Sequence, residues 1–178
     1  MPGPAPTSHV RAEFTRPDQL PPPEIEAQPS STYLVKEGMP GQTYAIFLAA
    51  LKKGRKGFCV TRVYPQKVRE KYGIAPEVPI LWLSNVGKDD SVRPKDLEKL
   101  SLALEQFIAK EAGVVLIDGI EYLITNNNFL TVLRLVQALR DTVAIHGATV
   151  VLSVNPSTLD THQLTLLEKE VDGVVTVG

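Results

Sequence analysis

Cysteine is almost missing from this chain: Cys59 stands alone among 178 residues, which excludes an internal disulfide. Histidine occurs three times, scattered and without the spacing of a zinc site, so no structural metal is expected. Neither sign of charge is in excess, with 19 Lys and Arg against 20 Asp and Glu. That balance excludes a uniformly basic nucleic-acid binder and an acidic solvating polymer. No apolar run approaches the roughly 18 residues that a membrane span requires, and the start lacks the basic-then-apolar layout of a secretory signal. A soluble, cytoplasmic protein is the expectation. Serine chemistry is also unsupported, because no Gly-x-Ser-x-Gly occurs and neither His146 nor His162 follows a suitable nucleophile.

What is present falls into two parts. Residues 1–30 hold eight of the 14 prolines, including Pro21-Pro22-Pro23, and read as a disordered or polyproline-like arm. From Ser31 short apolar runs alternate with amphipathic stretches, the pattern of repeated βα units. Strands are expected at Tyr33–Lys36, Phe58–Thr61, Ile80–Ser84, Val114–Asp118, Thr149–Val154 and Val174–Val177. The runs at Val114–Asp118 and Thr149–Val154 are nearly unbroken in Val, Leu and Ile, as in central parallel strands covered on both faces. Helices are expected at Gly41–Lys53, at Pro65–Tyr72 and from Pro94 to Glu111. Two more follow, one entered through Asn126–Asn128 and closed at Gly147, the other after Ser157 and Asp160, which have capping-box spacing. The sum is a three-layer α/β/α sandwich with a mainly parallel sheet, occupying residues 31–178.

Val114-Val115-Leu116-Ile117-Asp118 ends four aliphatics in an aspartate at the carboxyl edge of a strand, as a Walker B strand does. With Gly38-Met39-Pro40-Gly41 after the first strand and Asp172-Gly173 before the last, the layout resembles RecA-like and KaiC-like ATPases. Further strings, among them Leu81-Trp82-Leu83-Ser84, Asp118-Gly119-Ile120-Glu121-Tyr122-Leu123 and Asn155-Pro156-Ser157-Thr158-Leu159, resemble the uncharacterised archaeal domain family 835. That resemblance implies an archaeal cytosolic domain, often appended to other modules, without an established activity.

A working phosphate loop, Gly-x-x-x-x-Gly-Lys-Ser/Thr, sets backbone amides around the phosphates, with a lysine on them and a hydroxyl on magnesium. Here Gly38 is followed by Met39, Pro40, Gly41, Gln42 and Thr43, so the lysine is absent and the loop is short. What is left is a turn into a helix N-terminus, which favours anions through its dipole. Where RecA-like ATPases carry a catalytic carboxylate after the second strand, this chain has Arg62, which cannot take a proton from water. Arg62 is free either to pair with Asp118 or to hold a phosphate or carboxylate of a partner. Gly38, Gly41, Thr43, Arg62, Asp118 and Asn155 are therefore the candidates for an anion or nucleotide site. No catalytic residue and no cofactor is assigned. Trp82, in an apolar strand, is expected in the core, and Cys59 is expected to be a buried structural thiol.

From Lys52 to Lys71 the chain carries eight cations against Glu70 alone. A basic face is expected there and an acidic one further on, which makes Arg55, Lys56, Lys67, Arg69 and Lys71 candidates for partner binding. Glu121 and Asn127, in the stretch from Glu121 to Asn128, complete that set. The sequence thus points to a non-catalytic RecA-like interaction, scaffold or regulatory module, a pseudo-ATPase that binds a protein or itself. The alternatives are a nucleotide-binding regulator or slow NTPase with an unconventional loop, and nucleic-acid binding through segment 52–71.

Overall fold

The computed structural model describes residues 20–178. Seven strands form one sheet, and every pairing between neighbours is parallel. They are β1 (Ser31–Lys36), β2 (Gly57–Thr61), β3 (Ile80–Leu83), β4 (Ser91–Val92), β5 (Val114–Asp118), β6 (Thr149–Val154) and β7 (Gly173–Thr176). In space their order is β4-β3-β2-β5-β6-β1-β7. Six helices connect them: α1 (Gly41–Lys52), α2 (Pro65–Tyr72), α3 (Leu97–Glu111), α4 (Ile120–Asn126), α5 (Phe129–His146) and α6 (Thr161–Lys169).

Side-chain alternation along the strands builds a core on each side of the sheet. Val115 and Ile117 of β5, with Val150, Leu152 and Val154 of β6, face α3, α5 and the Leu167 side of α6. Val114, Leu116 and Val151 point the other way, onto Tyr44, Ile46 and Phe47 of α1 and Val68 and Tyr72 of α2. The middle strands are buried on both faces, which is why their sequence is continuously aliphatic instead of alternating. The three expected layers are present.

The helix ends explain most boundaries. Asn128 accepts from the Thr131 amide to start α5, and Gly147 closes it at φ 76°. The capping box of α6 joins Asp160 to Gln163, not Ser157 to Asp160; Ser157 lies in the 3-10 turn Pro156–Thr158. α3 starts at Leu97 behind an Asp96 cap, three residues beyond Pro94. β4 has only two residues and no pattern to announce it, and Ile120–Asn126, for which no helix was expected, is coiled as α4.

The proline-rich arm needs a larger correction. Residues 1–19 lie outside the described residues, but 20–30 are fastened to the domain. Leu20, Ile25 and Ala27 pack on the α1 side of the core. The Gln42 side chain accepts from the Glu24 amide at 2.7 Å and donates to the Pro22 carbonyl at 3.1 Å. Arg55 donates to the carbonyl of Ala27 at 3.1 Å, to the Thr149 hydroxyl at 2.9 Å and to the Gly113 carbonyl at 3.2 Å. One guanidinium therefore ties the arm to the amino ends of β5 and β6.

Candidate functional site

In a parallel sheet the ends of all strands open onto one edge, and that edge is the default ligand crevice of an α/β fold. Here β1, β2, β5 and β6 bring Val35, Thr61, Asp118 and Ser153 level, so the segments that follow them open onto the same edge. Gly38, Arg62, Asp118 and Asn155 do lie along this edge, as the sequence implied.

The turn from β1 into α1 holds a residue the motif search passed over. Glu37 is buried, and its carboxylate accepts from the Gln42 amide at 2.9 Å, the Thr43 amide at 2.9 Å and the Thr43 hydroxyl at 2.6 Å. Pro40 stands at the helix cap and offers no side-chain acceptor. The Gly41 amide turns back to the Met39 carbonyl at 2.8 Å, and the Tyr44 amide reaches the Pro40 carbonyl at 3.1 Å. The four leading amides of α1, the groups that would cradle a phosphate, are thus all satisfied from within the chain. An unpaired buried carboxylate would cost several kcal/mol, and three charge-assisted hydrogen bonds with the helix dipole offset that cost.

Asp118 lies two strands away. Its carboxylate is 3.4 Å from the Tyr44 hydroxyl and 3.5 Å from that of Thr61, long and weak contacts. Burial pushes its carboxyl up to about 6, and repulsion from Glu121 and Glu37 adds to the rise, while the two hydroxyls oppose it. Tyr44 is fully buried, stacked on Tyr72 with ring centroids 3.7 Å apart. Its hydroxyl also lies 3.8 Å from the sulfur of Cys59, a fully buried thiol that burial drives up to about 12. No group of three or more metal-ligating side chains forms among the described residues.

A family described as "Protein of unknown function (DUF835)" matches residues 39–171. The chain belongs to the DUF835 family. In three dimensions the domain is similar to the crystal structure of the KaiC-like protein PH0186 from the hyperthermophilic archaeon Pyrococcus horikoshii OT3. The TM-score is 0.63, over 91% of this chain and 81% of that one. At 14% identity the likeness is one of fold. No curated protein matches the chain in sequence.

Within this DUF835 domain the remaining candidates divide sharply. Arg62 forms no ion pair with Asp118; only its backbone amide reaches the Asp118 carbonyl, at 3.1 Å. Its guanidinium lies over the Tyr122 ring, 4.2 Å from the centroid, and donates to the Leu83 carbonyl at 3.2 Å. Gly119, at φ 142° between them, starts α4 and turns the chain away from the expected pairing. Glu121 accepts from the Asn155 amide at 2.7 Å, and the Asn155 side chain caps Ser157. Asn127 ties the Pro94 and Leu123 carbonyls together, both at 2.9 Å.

The basic segment is less available than its composition implied. Arg69 clamps the carbonyls of Ala75 and Val78, both at 2.8 Å, and Arg55 holds the arm. Lys71 lies beside the Tyr72 ring, while Lys56 and Lys67 are exposed. Trp82 is half-buried and keeps its indole at the sheet edge, where Nε1 donates to the Arg62 carbonyl at 3.2 Å. Tyr64 packs on that ring edge to face, with ring centroids 5.1 Å apart. A broad open concavity of about 1220 Å³ lies elsewhere, at the amino edge of β2 among Leu20, Pro21, Leu48, Phe58 and Phe107.

Proposed function

We propose that this domain is a non-catalytic interaction module, a RecA-like domain that has given up phosphate binding and serves as a scaffold or regulator through its surface. The observation that carries this reading is the Glu37 carboxylate at the start of α1. It takes the two amides and the hydroxyl that a phosphate and its magnesium would need. A polyphosphate brought to the same place would meet a negative charge in low dielectric, with no lysine to offset it. The position after β2 supports the same reading, because Arg62 rests on Tyr122 and no carboxylate is there to activate water.

Calorimetric titration of the full chain with ATP, ADP and GTP in magnesium tests this. No saturable heat at millimolar nucleotide is the expected result. Saturable binding at micromolar affinity would overturn the reading and establish the nucleotide-regulator alternative, since Glu37 would then have to leave its cradle. Nucleic-acid binding through segment 52–71 is disfavoured because Arg55 and Arg69 spend their guanidiniums on backbone carbonyls of the domain itself.

A further inference from the structure

β7 ends the sheet, and its outer side pairs with no strand among the described residues. On its inner side the ladder to β1 runs from Tyr33 opposite Gly173 to Lys36 opposite Thr176, and the Val177 amide continues it to the Lys36 carbonyl at 2.9 Å. That bond sets the phase of the strand. In a parallel ladder a residue turns its amide and carbonyl to one side and its neighbours turn theirs to the other. Val175 and Val177 therefore turn to β1, and the amides and carbonyls of Val174 and Thr176 point away from it.

Sheets ordinarily blunt such an edge with a lysine, a proline, a bulge or a covering element. The run Gly173-Val174-Val175-Thr176-Val177 has no charge and no proline, and its register with β1 advances residue by residue without a bulge. Four of its residues are β-branched, which suits them to further pairing. Val174 is 41% exposed and Thr176 is exposed, so one face of the strand is left open as well. The opposite end of the sheet differs, because β4 presents only Ser91 and Val92, both buried.

The chemistry that satisfies alternating outward amides and carbonyls is an extended backbone. We infer that β7 is the docking edge for a second copy of this chain, the two β7 strands lying antiparallel about a two-fold axis at Val175. The inference goes beyond the interaction-module reading and does not depend on it. Self-complementarity argues for a second copy. The outward groups sit at Val174 and Thr176, one on each side of Val175, so the axis sets Val174 of either copy against Thr176 of the other. Each such pair exchanges both of its hydrogen bonds, and every outward group of Val174 and Thr176 in both copies is used. The side chains of Val174 and Thr176 then form a neutral, β-branched cluster across the axis, with no like charges opposed. A register one residue off would set outward groups against inward ones. Because each edge is consumed, the contact closes at two copies. A strand this short makes a small interface, so the dimer is of the weak, concentration-dependent class.

Light scattering and sedimentation of the full chain, from micromolar to millimolar concentration, test this. A monomer that passes to a dimer and stops there is expected. Thr176→Pro removes one outward amide per copy and no bond to β1. Its dimer should dissociate at about tenfold higher concentration, while its melting temperature, taken where the wild type is monomeric, stays unchanged. Val174→Glu and Thr176→Lys should each weaken the dimer alone. Mixed together they should recover it, because the register sets those two positions face to face. Lys110→Glu on α3 should change nothing. A chain that stays monomeric throughout, an assembly that grows past two copies, or a dimer that Thr176→Pro leaves untouched overturns the proposal. A mixture of the two charged variants that associates no more tightly than either alone overturns it too.

Discussion

Glu37 holds Thr43 twice, through the amide at 2.9 Å and through the hydroxyl at 2.6 Å. The same residue supplies the cap that Pro40 does not. Its removal should therefore show in stability before it shows anywhere else.

Glu37→Ala leaves two buried amides and a hydroxyl without acceptors, each costing about 1–3 kcal/mol. A loss of roughly 2–4 kcal/mol is expected in urea unfolding, since relaxation and water entry recover part of the sum. Glu37→Gln keeps one acceptor and should lose less. Wild-type stability in Glu37→Ala would show that the carboxylate is not what closes this helix.

Asp118 gives a pH dependence of unusual sign. The unfolded chain titrates this carboxyl near its ordinary 3.8 and the folded chain near 6, so between those values the folded state holds more proton. Its contribution makes stability fall as pH rises from about 4 to about 6 and then level off. Asp118→Asn removes that penalty. Thermal melts should place the variant above wild type at pH 7–8, with the gain shrinking towards pH 4. A gain that stays constant from pH 4 to pH 8 would refute the assignment.

Arg55 and its neighbour Lys56 should behave oppositely despite equal charge. Arg55→Ala loses three hydrogen bonds and frees the arm, which limited proteolysis should register as faster cleavage between Glu24 and Ser30. Lys56→Ala, whose side chain is exposed, should leave cleavage and melting temperature unchanged. Equal cleavage of the two variants would mean that the apolar seat of Leu20, Ile25 and Ala27 and the Gln42 hydrogen bonds hold the arm without Arg55.

Glycines divide in the same way. A Cβ at Gly113 would collide with the Lys56 carbonyl oxygen and come within 2.9 Å of the Phe107 ring, so Gly113→Ala should destabilise strongly. At Gly41 the nearest atom is Pro21 Cδ at 3.8 Å, an ordinary contact. Gly41→Ala should gain about 0.4–1 kcal/mol by restricting the unfolded chain. Chemical denaturation of both variants decides it, and a destabilised Gly41→Ala would mean the turn requires glycine after all.

The sequence made the layers legible because burial on both faces forces a continuous aliphatic run, as in Val114–Ile117 and Val150–Leu152. Helix ends were legible where a cap residue did the work, as Asn128 and Gly147 do for α5. β4 was not, because two residues carry no period. Arg62 and Asp118 were placed correctly on one edge, yet no one-dimensional pattern shows that a turn at Gly119 and a ring at Tyr122 divert the guanidinium. Glu37 was overlooked because the motif asks for a lysine further along. Its signal is subtler: α1 begins at a proline cap with no acid in its first turn, so an acceptor must come from outside the helix. Trp82 was misplaced because an apolar run looks the same in a strand whose faces are fully covered as in one, like β3, that leaves its middle residues half-buried.

Cys59 sits at the centre of β2 with its sulfur fully covered and its proton held up to about 12. A thiol in that state is silent to alkylating reagents while the sheet is closed. Since no other sulfhydryl competes, the speed at which a reagent consumes it is a clock for the opening of the central strands, in the unmodified protein and without any label added in advance.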